Sequence, residues 1–167
     1  MVFMAGLLST GYLAYAISFG EIGKTLNTHF VEKVLAREIK RHPANPALYS
    51  MLGSIYYQSQ AYGQAVEAYE KSLDLEPRNA ETFNNLAWIY ATCQQTRFRN
   101  PTMALVYAKQ AVALKPEPHV LDTLAEGYYV NGLYEKAIAV IKQALAMGPK
   151  DRAYYEGQLT RFEKAAR

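Results

Sequence analysis

Apolar and polar residues alternate along this chain in steps of three and four. Between Pro46 and Asn79, Tyr49, Leu52, Gly53 and Tyr56 fall on one stripe, the spacing of a single amphipathic helix. Ala65, Tyr69, Ser72 and Leu75 make a second stripe, and Pro77 forbids its continuation. Small residues at Gly53 and Ala65 let the two predicted helices approach closely, while Tyr56 and Tyr69 fill the space beside them. A helix pair of this kind cannot bury its own apolar faces, so it needs a neighbour on each side.

The pattern returns twice in register. Leu52, Leu86 and Leu124 correspond, as do Gly53, Ala87 and Ala125, and Tyr56, Tyr90 and Tyr128. In the second helices Ala65, Ala104 and Ala137 correspond, then Tyr69, Ala108 and Ile141, then Ser72, Ala111 and Ala144, and finally Pro77, Pro116 and Pro149. These positions resemble the tetratricopeptide repeat (TPR), whose pattern runs W-x2-L-G-x2-Y, then A-x3-F, then A and P. The departures are Tyr49, Phe83 and Leu121 where the family often has Trp, and Ala108 and Ile141 where it prefers Phe. The resemblance covers roughly residues 46–151 and implies an all-α solenoid of three helical hairpins, 46–79, 80–117 and 118–151, that serves protein–protein interaction.

The first twenty residues read differently. From Met1 to Gly20 no side chain is charged, and a helix of that length spans about 30 Å, the thickness of a bilayer core. The segment 1–20 is therefore a transmembrane helix candidate. A secretory signal competes, because Ala14-Tyr15-Ala16 has the A-x-A form, but no Lys or Arg precedes the apolar run. Gly6, Thr10, Ala14 and Ser18 make a stripe of small side chains, the face on which membrane helices pack against a partner helix. Lys24, Lys33, Arg37, Lys40 and Arg41 follow the span, which by the positive-inside rule favours a cytoplasmic repeat domain. The resemblance to membrane-anchored bacterial TPR proteins instead implies a bacterial inner membrane with the repeats on the periplasmic side.

Residues 21–45 are expected to hold a hinge around Gly20 and Gly23 and then a capping helix on Phe30, Val31, Val34, Leu35 and Ile39. The second repeat carries an insertion. Tyr56 to Ala65 and Tyr128 to Ala137 are nine apart, while Tyr90 to Ala104 is fourteen, which places the surplus in Cys93–Asn100. Insertions in a solenoid go to loops on one face, and Arg97, Phe98 and Arg99 there read either as a docking knob or as a loop whose Phe98 tucks back. Asn100-Pro101 restarts a helix, and Asp151 caps a last one over residues 152–167 that closes the solenoid.

Composition narrows the function. Half of the 167 residues are hydrophobic, and the net charge is only +3, too small to predict a polyanion as main partner, so no nucleic acid is expected. Cys93 is the only cysteine and reads as a small core residue. The resemblance places Tyr57, Asn84, Asn85, Trp88, Asp122, Glu126 and Tyr129 in a concave groove where a partner binds. Asn84 and Asn85 suit an extended backbone, Trp88 an apolar anchor, and Asp122 and Glu126 repel a chain-terminal carboxylate. That Asp122–Glu126 pair reads as solvated recognition charge. No metal-ligand spacing, phosphate loop or nucleophile elbow occurs, so no enzyme, cofactor or small-molecule substrate is expected. The reading is a membrane-anchored TPR scaffold or accessory subunit that assembles a larger membrane complex, with other subunits and a transmembrane helix as partners. The alternative is a membrane-tethered receptor that captures a client peptide in the groove.

Overall fold

The computed structural model describes the backbone of residues 21–167 and side chains from residue 28 onward. The span 1–20, with Gly6, Thr10, Ala14 and Ser18, lies outside the described residues. No described helix is long and apolar enough to cross a membrane. Among the described residues the chain is all-α: α1 (Glu21–Arg41), α2 (Pro46–Gln58), α3 (Tyr62–Leu75), α4 (Ala80–Thr92), α5 (Pro101–Leu114), α6 (Pro118–Val130), α7 (Tyr134–Ala146) and α8 (Arg152–Ala165), with a 3-10 turn at Thr96–Phe98. The helices α2/α3, α4/α5 and α6/α7 pair as hairpins, α1 packs on α2, and α8 packs on α7.

Local chemistry sets these boundaries. Side chains of Asn45, Asn79, Asn100 and Asp151 accept backbone N–H groups of the turns they open, at 3.1, 2.9, 3.1 and 3.3 Å. Each cap satisfies a donor that the helix itself leaves unpaired. Proline stands in the first turn of α2, α5 and α6, where its missing N–H costs nothing. Pro77, Pro116 and Pro149 then lie just beyond the ends of α3, α5 and α7.

Where paired helices cross, the side chains are small. Ala65, Ala104 and Ala137 are fully buried, as are Ala87 and Ala125 opposite them in the second and third hairpins. In the first hairpin the crossing is tighter still: a Cβ on Gly53 would stand 2.7 Å from the Tyr69 ring. The Tyr69 hydroxyl lies 3.0 Å from Ser54, which fixes the ring over that gap. Neighbouring hairpins are joined in two ways. Between the first and second, Tyr62, Ala65 and Tyr69 pack against Leu86 and Ile89, and beside this apolar contact buried Ser72 donates to the Pro46 carbonyl at 3.0 Å and buried Thr82 donates to Ser50 at 3.3 Å. Further along, Leu121, Leu124, Val140, Ile141, Tyr155 and Phe162 run an apolar core continuously into α8.

Two expectations for the amino-terminal region fail. α1 continues through Gly23 without the predicted hinge, because the roughly 1 kcal/mol propensity penalty of one glycine does not break a helix with good formers on either side. Its buried stripe is also narrower than the apolar pattern suggested. Val31 and Leu35 are buried against α2, whereas Phe30 is 55% exposed.

Two glycines should respond oppositely to alanine. Gly53→Ala forces Tyr69 out of its rotamer, and overpacking of this kind outweighs the propensity gained, so the fold should lose about 1 kcal/mol. Gly157 in α8 has nothing within 4 Å of an added Cβ, and Gly157→Ala should stabilise by about 0.5–1 kcal/mol. Thermal melts of both variants, shifted in opposite directions, are the check.

Candidate partner-binding site

The carboxy-terminal halves of α4 and α6 are in register, so Trp88, Ala91 and Thr92 correspond to Glu126, Tyr129 and Val130. Together with Arg99 from the insertion and Gln158 and Arg161 from α8 they surround a hollow of about 460 Å³. Trp88 is half-buried and donates its indole N–H to the Tyr57 hydroxyl at 3.1 Å. Of the seven residues predicted to line a groove, the hollow brings together Trp88, Glu126 and Tyr129, and Tyr57 supports it from behind. Asn85 is half-buried and interacts with the Tyr69 hydroxyl instead.

Three of the predicted groove positions are not open. Asn84, Asp122 and Glu126 are 8%, 6% and 4% exposed, so the expected solvated recognition charges are in fact interior. The cause is α8, whose Tyr154 and Arg161 reach back over α6. Tyr154 donates its hydroxyl to Asp122 Oδ2 at 2.9 Å, and Arg161 pairs with Glu126. Arg161, whose side chain stays 40% exposed, stacks over the rings of Tyr129 and Phe162 at 4.4 and 4.8 Å. Burial therefore pushes the Asp122 carboxyl up to about 6, with the Glu126 charge adding to the rise and the Tyr154 bond, Arg161 and His119 opposing it. Burial and the facing Asp122 together push Tyr154 up to about 12. Asp122 Oδ1 and Asn84 Oδ1, at the same register on successive first helices, have no hydrogen-bond partner among the described residues.

The insertion is not a free knob. Phe98 is half-buried, 6.1 Å from the Tyr62 ring and against the Gly63 backbone, and joins the core cluster of Tyr62, Tyr69 and Ile89. Arg97 covers it at 4.8 Å and bonds Gln95 at 2.9 Å. Arg99 Nε donates to the Cys93 carbonyl at 2.6 Å, and the Asn100 N–H closes the loop onto the Tyr90 carbonyl at 2.9 Å. Cys93 itself is buried.

One cluster went unread in the sequence. Glu81, Glu117 and His119 bring ligand atoms within 4.8 Å of one another at the start of α4 and α6. Glu81 and His119 occupy the same register of consecutive repeats, and that correspondence was the available signal. Lys115 already supplies the positive charge there, 3.6 Å from Glu81 and 3.1 Å from Glu117.

Comparison with known proteins agrees with this architecture. A TPR repeat family model matches residues 53–92. Mouse protein O-mannosyl-transferase TMTC1 is 26% identical over 156 residues, covering 91% of this chain and 16% of that protein. The chain thus spans only a small part of the length of that relative. Among solved structures, a thermophilic TPR protein of Thermus thermophilus, TTC0263, is 23% identical with a TM-score of 0.63, covering 84% of this chain and 75% of that one. PilW, a type IV pilus biogenesis factor, is 18% identical with a TM-score of 0.69, covering 96% of this chain and 80% of that one. The described residues form a TPR helical solenoid, a fold that generally serves as a protein-interaction scaffold.

The buried Asp122 gives the fold a pH signature. Because its folded pKa is raised, its contribution to stability is fully present below the ordinary carboxylate pKa and is lost as pH rises through about 6. Urea denaturation of wild type and Asp122→Asn should show wild type gaining on the variant as pH falls from 7.5 to 4, by up to about 3 kcal/mol. A pH-independent difference would mean that Asp122 is solvated.

Proposed function

We propose that this chain is a non-catalytic TPR scaffold, an accessory subunit that holds or assembles a larger membrane protein complex. The observation that carries the reading is the hollow between α4, α6 and α8, where aromatic surface from Trp88 and Tyr129 stands beside charged Arg99 and Arg161. Aromatic residues with arginine at a partly desolvated depression are the composition of interface hot spots. The apolar, uncharged stretch 1–20 supports attachment to a bacterial inner membrane, and its small-residue stripe supports a helix partner there. The likeness in fold to a pilus biogenesis factor accords with a role in assembly. The basic residues that follow the stretch and its signal-like Ala14-Tyr15-Ala16 pull in opposite directions on sidedness, and the proposal places the repeats on the periplasmic face.

The test is stoichiometric co-purification after detergent extraction, with intact-mass measurement of the assembly. Trp88→Ala should weaken partner binding by about 2 kcal/mol or more, the hot-spot scale, with a smaller loss of folding stability since Trp88 is only half-buried. Global unfolding of that variant would reassign Trp88 to the core.

The membrane stretch has its own test. Replacing Gly6 and Ala14 together by Leu should leave the chain in the membrane fraction and release it from the complex. Unchanged co-purification refutes a packing role for this face.

A further inference from the structure

The helix α1 has two faces, and the fold uses one of them. Val31 and Leu35 are buried against α2. On a helix of about 3.6 residues per turn, Phe30, Lys33, Arg37, Lys40 and Arg41 fall within an arc of about 100° on the far side. All five are exposed. The two carboxylates of this stretch stand outside the arc and are occupied. Glu32 accepts the Tyr56 hydroxyl at 3.1 Å and lies beside His29, and Glu38 is 3.0 Å from Arg41. Among the described residues no carboxylate pairs with Lys33, Arg37 or Lys40. The whole chain carries a formal net charge of only +3, so four bases on one short face are a local concentration and not general basicity. An exposed ring among bases that no acid neutralises is the pattern of a helix lying in a membrane interface, with the ring toward the acyl chains and the cations among phosphates. The position in the chain agrees. Phe30 stands ten residues beyond Gly20, the end of the uncharged stretch. On an upright helix that is about 15 Å above the bilayer, so the face meets lipid when α1 is laid along the surface.

We infer that the outer face of α1 docks on anionic phospholipid, with Phe30 entering the interface and Lys33, Arg37, Lys40 and Arg41 over the headgroup phosphates, so that α1 lies along the bilayer. The inference deepens the membrane-attached scaffold reading, on which it rests for the nearness of a membrane, and adds an orientation to it. A single span fixes how far the repeats stand from the bilayer but leaves them free to swivel. A docked α1 also fixes the direction in which the hollow between α4, α6 and α8 faces. The buried stripe of Val31 and Leu35 stays on α2 throughout, so docking requires no unfolding.

The test places a reporter at position 30. In Phe30→Trp the added indole is read against wild type, whose only tryptophan is Trp88. The full chain is reconstituted with vesicles of phosphatidylcholine alone, or of phosphatidylcholine mixed with phosphatidylglycerol, each carrying bromine on the acyl chains as a contact quencher. In the anionic vesicles the emission added by Phe30→Trp should shift to the blue and be quenched about twofold or more. In neutral vesicles, or at about 1 M salt where screening leaves a reach of about 3 Å, neither change should occur. Lys33→Gln, Arg37→Gln and Lys40→Gln introduced together should abolish the quenching, because each base near an anionic surface adds severalfold to the attraction. The same loss of charge at exposed Lys150, Lys164 and Arg167 should leave it unchanged, with thermal melts confirming both folds. Equal emission in neutral and anionic vesicles, no quenching in either, or wild-type quenching in the folded Lys33/Arg37/Lys40 variant overturns the inference. So does loss of co-purification in that variant without any lipid response, which assigns the face to an acidic partner protein. If the chain washes off neutral vesicles while quenching in anionic ones persists, the span reading fails and the docking face stands. If the chain stays in neutral vesicles and position 30 is never quenched, the span stands and the docking face fails.

Discussion

A hairpin of two short helices has more apolar surface than it can cover, and this chain is organised by the need to hand that surface to a neighbour. Each hairpin seals internally through small residues, Gly53 against Tyr69 in the first and the buried alanines in the next two. Each then passes an apolar face onward. The last such face belongs to α6 and α7, and α8 covers it with Tyr155, Leu159 and Phe162. The closing helix is therefore a structural necessity, and its polar residues come along with it.

That coupling explains the candidate site. Once Tyr155 and Phe162 are seated, Tyr154 and Arg161, the residues beside them, are brought over α6. Asp122 and Glu126 are buried as a result. The same logic governs the insertion. Five residues beyond the ordinary turn cost ordering entropy, and the chain recovers it by burying Phe98 against Tyr62 and tying Arg99 to the Cys93 carbonyl. Packing demands placed both arginines in the lining of the hollow with Trp88, Arg99 from the insertion inside the second repeat and Arg161 from the helix that follows the third.

Most of the architecture was legible because it rests on periodicity and punctuation. The stripes, the Asn100-Pro101 restart and the Asp151 cap are local features, and local features survive folding unchanged. The hinge at Gly23 was misread because a single glycine is a weak signal against the helical preference around it. Within the site, register identified which first-helix positions matter but not which would stay open. That depended on a contact 32 residues away, Tyr154 on Asp122, and another 35 residues away, Arg161 on Glu126. No local pattern announces a side chain reaching back across a repeat. Arg161 keeps 40% of its side chain exposed, yet its guanidinium lies over two rings and against a carboxylate.

The polar joints carry a further physical consequence. Asn84 and Asp122 hold equivalent positions on α4 and α6, and each leaves an interior oxygen without a partner among the described residues. A buried unpaired acceptor costs on the order of 1–3 kcal/mol, so stability is forfeited where successive first helices meet, while the hairpins themselves are sealed by apolar contacts. The first joint combines the Ser72, Thr82 and Ser50 hydroxyls with the apolar contact of Tyr62, Ala65 and Tyr69 on Leu86 and Ile89. The hollow is bounded by α4, α6 and α8 together, so anything that fills it bridges those three helices.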